Sequence, residues 1–346
     1  MDVEKVLLAA PRGFCAGVEM AIKALGWMVR VFEPPVYCYH EIVHNRLVVD
    51  RFKRLGVVFV DDVSEVPPGA PLMLSAHGSA PEVVEAARAG GGFVVDAVCP
   101  LVTKVHHEVK VRAGKGFSIL YVGHEGHDEA VGTMAVAPDS IHLVESEDQV
   151  AALPDPGGPV ALLAQTTLSH QDWAGVLDAA RERFPDLWMP AHSDLCFATT
   201  NRQSALIEIA ARAEAIVVIG SANSSNTVAL EKVARGAGCA RVYRVNGPDE
   251  LPEDLTGVVG VTAGASAPEE LVRSVIARLD PSEGIEEVVV TNEDEYFPPP
   301  RELRELLAAL DTVASVALGA SPPAGSAFAQ DRQRAASDVL DALATG

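Results

Sequence analysis

The sequence predicts an α/β protein with mostly parallel sheets. Apolar runs without polar alternation recur along the chain, which is typical of strands buried on both faces of a sheet. Stretches with helical periodicity separate these runs, and alternating strands and helices indicate parallel sheets. We expect strands within 6–10, 57–60, 72–74, 93–95, 118–122, 160–163, 216–219 and 258–261, and helices near 81–89, 101–111, 173–184, 201–213 and 268–279.

Composition limits the class of protein. A chain of 346 residues has room for about two or three domains, and 48% hydrophobic with 22% charged residues is typical of a soluble globular protein. No apolar run reaches the ~18 residues of a membrane span, and the first residues lack the features of a signal peptide, so we expect a cytoplasmic protein. A net charge of -21 argues against nucleic acid or an anionic membrane as a partner.

Three of the five cysteines share one local context. Cys15, Cys99 and Cys196 each follow an extended segment and open a helix-like stretch, and helix N-termini stabilise the thiolates that bind soft metals. Cys38 and Cys239 lack this context, and we interpret them as structural. Three thiolates suit either zinc with a fourth ligand or an iron-sulfur cluster with one iron lacking a protein sulfur. The long spacings between the cysteines weaken the zinc-ribbon alternative.

The cysteines also suggest how the chain is organised. They indicate three α/β lobes of similar size, 16–99, 100–195 and 1–15 with 196–285, with Cys15, Cys99 and Cys196 at the lobe boundaries near a common centre. We expect 286–310, with a short helix from 301, to pack back on the core. We expect 311–346 to be a flexible tail, since 321–326 resembles a linker and the last residues are only weakly amphipathic.

Polar residues follow five of the predicted strands. The segments 75–78, 123–129, 164–167, 220–226 and 262–266 are rich in hydroxyl, amide and imidazole groups with glycine. Carboxyl ends of parallel strands together with helix N-termini predict a polar pocket for an anion. His44, His77 and His127 lie in polar strand-end or loop positions, which suits anion recognition. Glu129 is the best candidate proton donor, because a closed pocket would raise its pKa.

Seven ordered motifs resemble one family closely. They occupy 11–18, 40–45, 75–78, 99–106, 165–169, 223–226 and 261–268. The sequence resembles the LytB/IspH family of 4-hydroxy-3-methylbut-2-enyl diphosphate reductases from its N-terminus to about residue 310. Asp128 stands where that family usually has proline, which adds a charge beside Glu129.

The resemblance implies an α/β fold with three similar lobes arranged pseudo-threefold around a central iron-sulfur cluster. One [4Fe-4S] cluster would be held by Cys15, Cys99 and Cys196, with one open iron. The implied reaction is the two-electron reductive removal of an allylic hydroxyl, the last step of the non-mevalonate isoprenoid pathway, giving isopentenyl and dimethylallyl diphosphates.

Site residues follow from the same resemblance. Thr166 and Glu129 would flank the substrate hydroxyl, with Glu129 starting the proton relay and His127 also catalytic. The diphosphate would be held by His44, His77, His127, Thr166, Ser224, Ser225, Asn226 and Ser266. The implied partners are a small diphosphate substrate and a ferredoxin or flavodoxin as electron donor, acting on a monomer or homodimer.

Two other classes of function stay open at this point. A hydrolase or transferase could use one cysteine nucleophile with a nearby histidine. A non-catalytic iron-sulfur sensor could use all three cysteines, but it would leave the polar strand ends unexplained.

Overall fold

The computed structural model describes residues 1–318 and 331–344. Twelve strands lie in the described residues: β1 Asp2–Ala10, β2 Val36–Tyr39, β3 Val57–Val60, β4 Leu72–Leu74, β5 Val94–Asp96, β6 Ser118–Val122, β7 Ile141–Val144, β8 Val160–Ala164, β9 Ala215–Ile219, β10 Val242–Val245, β11 Thr256–Ala263 and β12 Ile285–Val289. The α-helices of the same residues are α1 Ala16–Val31, α2 Arg46–Arg54, α3 Pro81–Ala89, α4 Pro100–Gly114, α5 Asp128–Met134, α6 Glu147–Ala152, α7 His170–Arg183, α8 Phe197–Ala210, α9 Ser225–Gly236, α10 Glu269–Leu279, α11 Arg301–Leu318 and α12 Ala336–Ala344.

The strands form three parallel sheets, as the sequence predicts. Their orders are β10-β9-β11-β1-β12, β3-β2-β4-β5 and β7-β6-β8. Internal contacts divide the chain into two compact units. Unit 1 comprises Met1–Cys15, Ser79–Pro81 and Leu101–Glu293, and unit 2 comprises Ala16–Gly78, Glu82–Pro100 and Asp294–Gly346. The three-lobe boundaries stay a prediction.

The five-stranded sheet of unit 1 is covered by helices on both faces. In β1, Val6 and Leu8 belong to the same apolar cluster as α10, whereas Leu7 and Ala9 pack with α8 and α9. Successive residues of a strand point to opposite faces of the sheet. A strand that is buried on both faces therefore has a continuous run of apolar residues in its sequence. This explains why β1 shows no polar alternation. The three-stranded sheet of unit 1 is likewise bounded by two apolar clusters.

Unit 2 contains the four-stranded sheet and the described C-terminal helices. α12 packs on α1, where the glycine at position 26 allows close approach, since a Cβ there would lie 2.8 Å from Val339 Cγ1. In the described part of 311–346 the chain is helical over 311–318 and 336–344, and the flexibility of this tail stays a prediction. The predicted linker 321–326 lies outside the described residues. Of the described helices, none is long and apolar enough to cross a membrane.

Candidate active site

In unit 1, two of the predicted ligands stand where an extended segment meets a helix. Cys15 directly precedes α1, and its N–H donates to the carbonyl of Ala265 at 3.2 Å. Cys196 is the N-cap residue of α8 with extended backbone (φ -61°, ψ 135°), and its N–H donates to the carbonyl of Thr166 at 2.9 Å. Both thiols are half-buried. Each is thus held by its own main chain at the start of a helix.

The third predicted ligand, Cys99, lies in unit 2. It directly precedes the first residue of α4, and its N–H donates to the carbonyl of Ala76 at 3.0 Å. It too is half-buried, whereas Cys38 and Cys239 are buried. Burial raises the pKa of the Cys38 thiol, which keeps it protonated and inert. The cysteines therefore fall into two groups by burial, and the role of the half-buried three as metal ligands stays a prediction.

Glu129 and Thr166 form a buried pair in unit 1. The Thr166 N–H donates to Glu129 Oε1 at 2.8 Å, and the Thr166 hydroxyl donates to Oε2 at 2.9 Å. Only 3% of Glu129 and 5% of Thr166 is exposed. Burial raises the pKa of Glu129 to about 7, with the nearby Asp194 carboxylate adding to the rise and the two Thr166 donors opposing it. The carboxyl group can therefore hold and release a proton near neutral pH.

Asp194 connects the Cys196 segment to the end of β8. Its Oδ2 accepts the N–H of Ala164 at 3.2 Å, and its Oδ1 lies 3.3 Å from Lys104 Nζ. Burial raises the pKa of Asp194, and Lys104 opposes that rise. The sequence analysis did not select Asp194 as a site residue. Its position two residues before Cys196 is the feature that could have indicated a role in the site.

His127 is the N-cap residue of α5. Its Nδ1 accepts the N–H of Glu129 at 3.1 Å, so the neutral ring carries its proton on Nε2. This hydrogen bond has two consequences for the site. It fixes the main chain of Glu129, and it makes Nε2–H the ring's remaining donor.

A hydrogen-bonded cluster joins three strand ends of unit 1. Gln165, after β8, accepts the N–H of His124 at 2.9 Å and donates to Thr167 Oγ1 at 2.9 Å and Ser225 Oγ at 3.1 Å. Thr167 also donates to Ser225 at 2.9 Å. The polar ends of β6, β8 and β9 are therefore one network. Gln165 is fully buried at its centre, although the sequence reasoning did not select it as a site residue.

The same cluster reaches the end of β11. Ser224 caps α9, and the hydroxyl of Ser266 lies 3.5 Å from its Oγ. Asn226 accepts the N–H of Ala265 at 3.0 Å and donates to Thr199 at 3.2 Å. These neutral donors stand at the N-terminus of a twelve-residue helix, a position that favours an anion.

His44 and His77 lie together in unit 2. Their rings stack with centroids 4.0 Å apart and an interplanar angle of 14°. His44 Nδ1 lies 3.4 Å from Glu41 Oε2. Asn45, the next residue, caps α2 through Val48 N–H and so fixes the end of this loop.

The family model for the LytB protein matches residues 6–280, which is most of the chain. The chain belongs to the LytB family. Among curated LytB relatives, the 4-hydroxy-3-methylbut-2-enyl diphosphate reductase of Rhodopirellula baltica is 48% identical over 314 residues, covering 89% of this chain and 98% of the relative. The enzyme of the same name from Streptomyces avermitilis is 46% identical over 312 residues, covering 88% and 92%.

Solved LytB structures agree with the fold. The E-1-hydroxy-2-methyl-but-2-enyl-4-diphosphate reductase of Plasmodium falciparum matches with a TM-score of 0.86 at 30% identity, covering 89% of this chain and 99% of that one. A second structure, described as the terminal enzyme of the non-mevalonate pathway, matches with a TM-score of 0.59 at 28% identity, covering 80% and 99%.

Proposed function

We propose that this chain reduces 4-hydroxy-3-methylbut-2-enyl diphosphate to isopentenyl and dimethylallyl diphosphates. Two electrons and two protons enter, the allylic carbon–oxygen bond breaks, a carbon–hydrogen bond forms, and the hydroxyl leaves as water. Family membership and the names of its relatives support this activity over the hydrolase and sensor alternatives. The reaction is the last step of the non-mevalonate isoprenoid pathway.

The buried Glu129–Thr166 pair is the observation that carries the proposal. Hydroxide is a poor leaving group, so breaking the carbon–oxygen bond needs a proton at the oxygen. Burial raises the pKa of Glu129 to about 7, so its carboxyl group can carry a proton near neutral pH. The Thr166 hydroxyl, 2.9 Å from Glu129 Oε2, is suited to hold the substrate hydroxyl and pass the proton to it. His127 supports the pair by fixing the Glu129 main chain.

The thiols fit the implied iron-sulfur cluster. Cys15, Cys99 and Cys196 are partly exposed thiols at helix starts, and thiolate is the ligand type of such clusters. We assign these three as the ligands of one [4Fe-4S] cluster that keeps one iron open. When bound there, such a cluster would supply electrons one at a time and a Lewis acid for the substrate oxygen.

The diphosphate is assigned to neutral donors. In unit 1 these are Ser224, Ser225, Asn226 and Ser266 at the start of α9 and before α10. His44, His77 and His127 are assigned to the same diphosphate. Neutral donors and helix N-termini bind an anion without needing positive side chains, which suits a protein with a net charge of -21.

The electrons are proposed to come from a ferredoxin or a flavodoxin. Both carry single electrons, and the reaction needs two. A cytoplasmic location and a monomeric or homodimeric state remain predictions from the sequence.

The test uses anaerobically purified protein with an assembled cluster. Wild type should contain iron and sulfide and turn over the diphosphate substrate with reduced methyl viologen. Glu129→Gln should keep the cluster and lose at least about a hundredfold in kcat, because the amide cannot give up a proton. Glu125→Gln is the matched control, since Glu125 is exposed in the same loop. Unimpaired turnover by Glu129→Gln would remove Glu129 from the mechanism.

A further inference from the structure

Arg202, on α8, is the largest fully buried side chain of the described residues. Its Nε and Nη2 donate to the carbonyl of Gly13 at 3.1 and 2.8 Å, and Nη2 also lies 3.3 Å from the carbonyl of Phe14. Its Nη1 donates to the carbonyl of Ala198 at 2.8 Å. All three nitrogens of the guanidinium are therefore engaged with main-chain oxygens.

Those carbonyls belong to the two segments of unit 1 that carry predicted ligands. Gly13 and Phe14 directly precede Cys15, and Ala198 lies in the first turn of α8, two residues after Cys196. One rigid side chain thus bonds both segments. The glycine at position 13 is suited to this loop because its φ is +67° and a Cβ there would lie 3.1 Å from the carbonyl oxygen of Ala267.

The opposite side of the Cys15 loop is also fixed. The N–H groups of Gly13 and Cys15 donate to the carbonyls of Ala263 and Ala265 at 3.3 and 3.2 Å. The loop therefore lies between the end of β11 and the guanidinium of Arg202. Its main-chain donors face one partner, and its carbonyls face the other.

Glu293 balances the buried charge. Its two carboxylate oxygens lie 2.9 and 3.1 Å from Arg202 Nη1, and Asn201 donates to the same carboxylate at 3.0 Å. A buried cation is costly unless it is paired and its donors are satisfied. Here both conditions are met, so the guanidinium can remain charged and in place.

We propose that Arg202 is a positioning residue for the metal ligands. It holds the Cys15 loop against the first turn of α8, so that Cys15 and Cys196 are presented in a fixed relation to each other. This inference rests on the proposed function, in which both thiols bind one cluster. Lysine cannot replace Arg202, because a single ammonium group cannot bond the carbonyls of Gly13 and Ala198 in the same planar arrangement.

The test measures iron release from holoprotein to ferrozine under anaerobic conditions. Arg202→Lys keeps the charge and removes the bridge. We expect about tenfold faster release than in wild type, because loss of groups that support metal ligands lowers metal affinity about 10- to 100-fold. Arg212→Lys is the matched control, because Arg212 pairs with Glu286 near the surface. It should release iron at the wild-type rate.

A second control separates positioning from general loss of stability. Val275→Ala removes buried volume under the same sheet, and Val275 belongs to a different apolar cluster from α8. It should lower the unfolding midpoint and leave iron release unchanged. Equal release from wild type and Arg202→Lys would overturn the inference, and so would release from Val275→Ala as fast as from Arg202→Lys.

One measurement needs no variant. Hydrogen exchange of wild-type protein, with and without cluster, should show the amides of Gly13 and Cys15 protected to the level of β1. Exchange of these amides in the cluster-free protein at the rate of exposed turns would overturn the inference even if Arg202 variants fail to fold. A wild-type protein that assembles no cluster would instead refute the proposed function.

Discussion

Lys23 of α1 and Asp331 of the C-terminal segment form a buried ion pair in unit 2. Lys23 Nζ lies 3.2 Å from Asp331 Oδ2 and 2.9 Å from the Asp331 carbonyl oxygen. Tyr296 donates to the same carboxylate at 2.9 Å, and the residues of the ion pair are only 4% and 5% exposed. Glu19, also on α1, accepts the N–H of Ala336, the first residue of α12, at 2.6 Å. The C-terminal helix is therefore fixed to the helix that follows Cys15.

The first prediction concerns this ion pair. Lys23→Met leaves the Asp331 carboxylate buried without its cation, and we expect the free energy of unfolding to fall by about 3–5 kcal/mol. Denaturant unfolding of the variant and of wild type measures the change. Arg46→Met is the control, because Arg46 is 89% exposed in its pair with Asp50 and should change stability by less than about 1 kcal/mol. Equal effects of the two variants would contradict a structural role for the buried pair.

The second prediction concerns the pH dependence of stability. The pKa of Glu129 is raised from 4.5 to about 7 in the folded protein, so the folded state binds more protons than the unfolded state between these values. The contribution of this group to stability is therefore lost as pH rises from about 4.5 through 7. Relative to Glu129→Gln, cluster-free wild type should lose about 3 kcal/mol between pH 4.5 and pH 8. A constant difference across that range would be inconsistent with a raised pKa.

The third prediction concerns turnover. If the protonated carboxyl group of Glu129 is the acid, kcat should fall as pH rises through about 7, because the acid form is lost. Reduced methyl viologen is a suitable donor, since its potential does not depend on pH. The measurement is kcat at saturating substrate from pH 6 to 9. A flat profile would show that another group supplies the proton.

The fourth prediction separates the two kinds of cysteine. Serine at position 15, 99 or 196 should abolish stable cluster binding, because each change removes one of three thiolates. Alanine at Cys38 or Cys239 should leave the iron content unchanged, since both residues are buried in the interior. Iron and sulfide analysis after anaerobic assembly makes the comparison. Loss of iron from the Cys38→Ala variant would contradict the assignment.

The fifth prediction concerns the diphosphate. Asn226→Asp places a negative charge at the N-terminus of α9 and removes the donor to Thr199. We expect KM to rise at least about tenfold through charge repulsion, with a smaller change in kcat. Gln333→Glu makes the same chemical change at an exposed amide in unit 2 and should leave KM unchanged. An unchanged KM in Asn226→Asp would argue against diphosphate binding at this helix.

The sequence predicted the strands that are buried on both faces. β1, β8 and β9 read as continuous apolar runs because both of their faces are covered. β7 and β10 were not predicted, since each is a four-residue edge strand with partly exposed positions. Their formation depends on pairing with a neighbour that the local sequence does not reveal.

The candidate site was predictable where local sequence determines it. His127 and Glu129 lie at the start of α5, the element that follows β6, so their position could be inferred from chain order. Arg202 could not be assigned in this way, because its partners at Gly13 and Glu293 are far away in sequence. The sequence feature that could have indicated its burial is its position on the apolar face of α8, one turn before Leu206 and two turns before Ile209.

The C-terminal helix also depends on contacts with residues that are far away in the sequence. α12 has apolar residues at Ala336, Leu340 and Leu343, a pattern too short to predict a stable helix. Its partner on α1 lies some three hundred positions earlier in the chain. The contacts with α1 are therefore what stabilise this short helix.

In unit 1, β1 lies between β11 and β12 in the five-stranded sheet. During synthesis β1 leaves the ribosome long before β11 and β12. Its two edges therefore stay unpaired until residues beyond 285 have emerged. The other two sheets take all their strands from contiguous stretches and can assemble earlier. Completion of this sheet therefore depends on the synthesis of β12. Truncated chains ending before β11 should depend on chaperones to stay in solution.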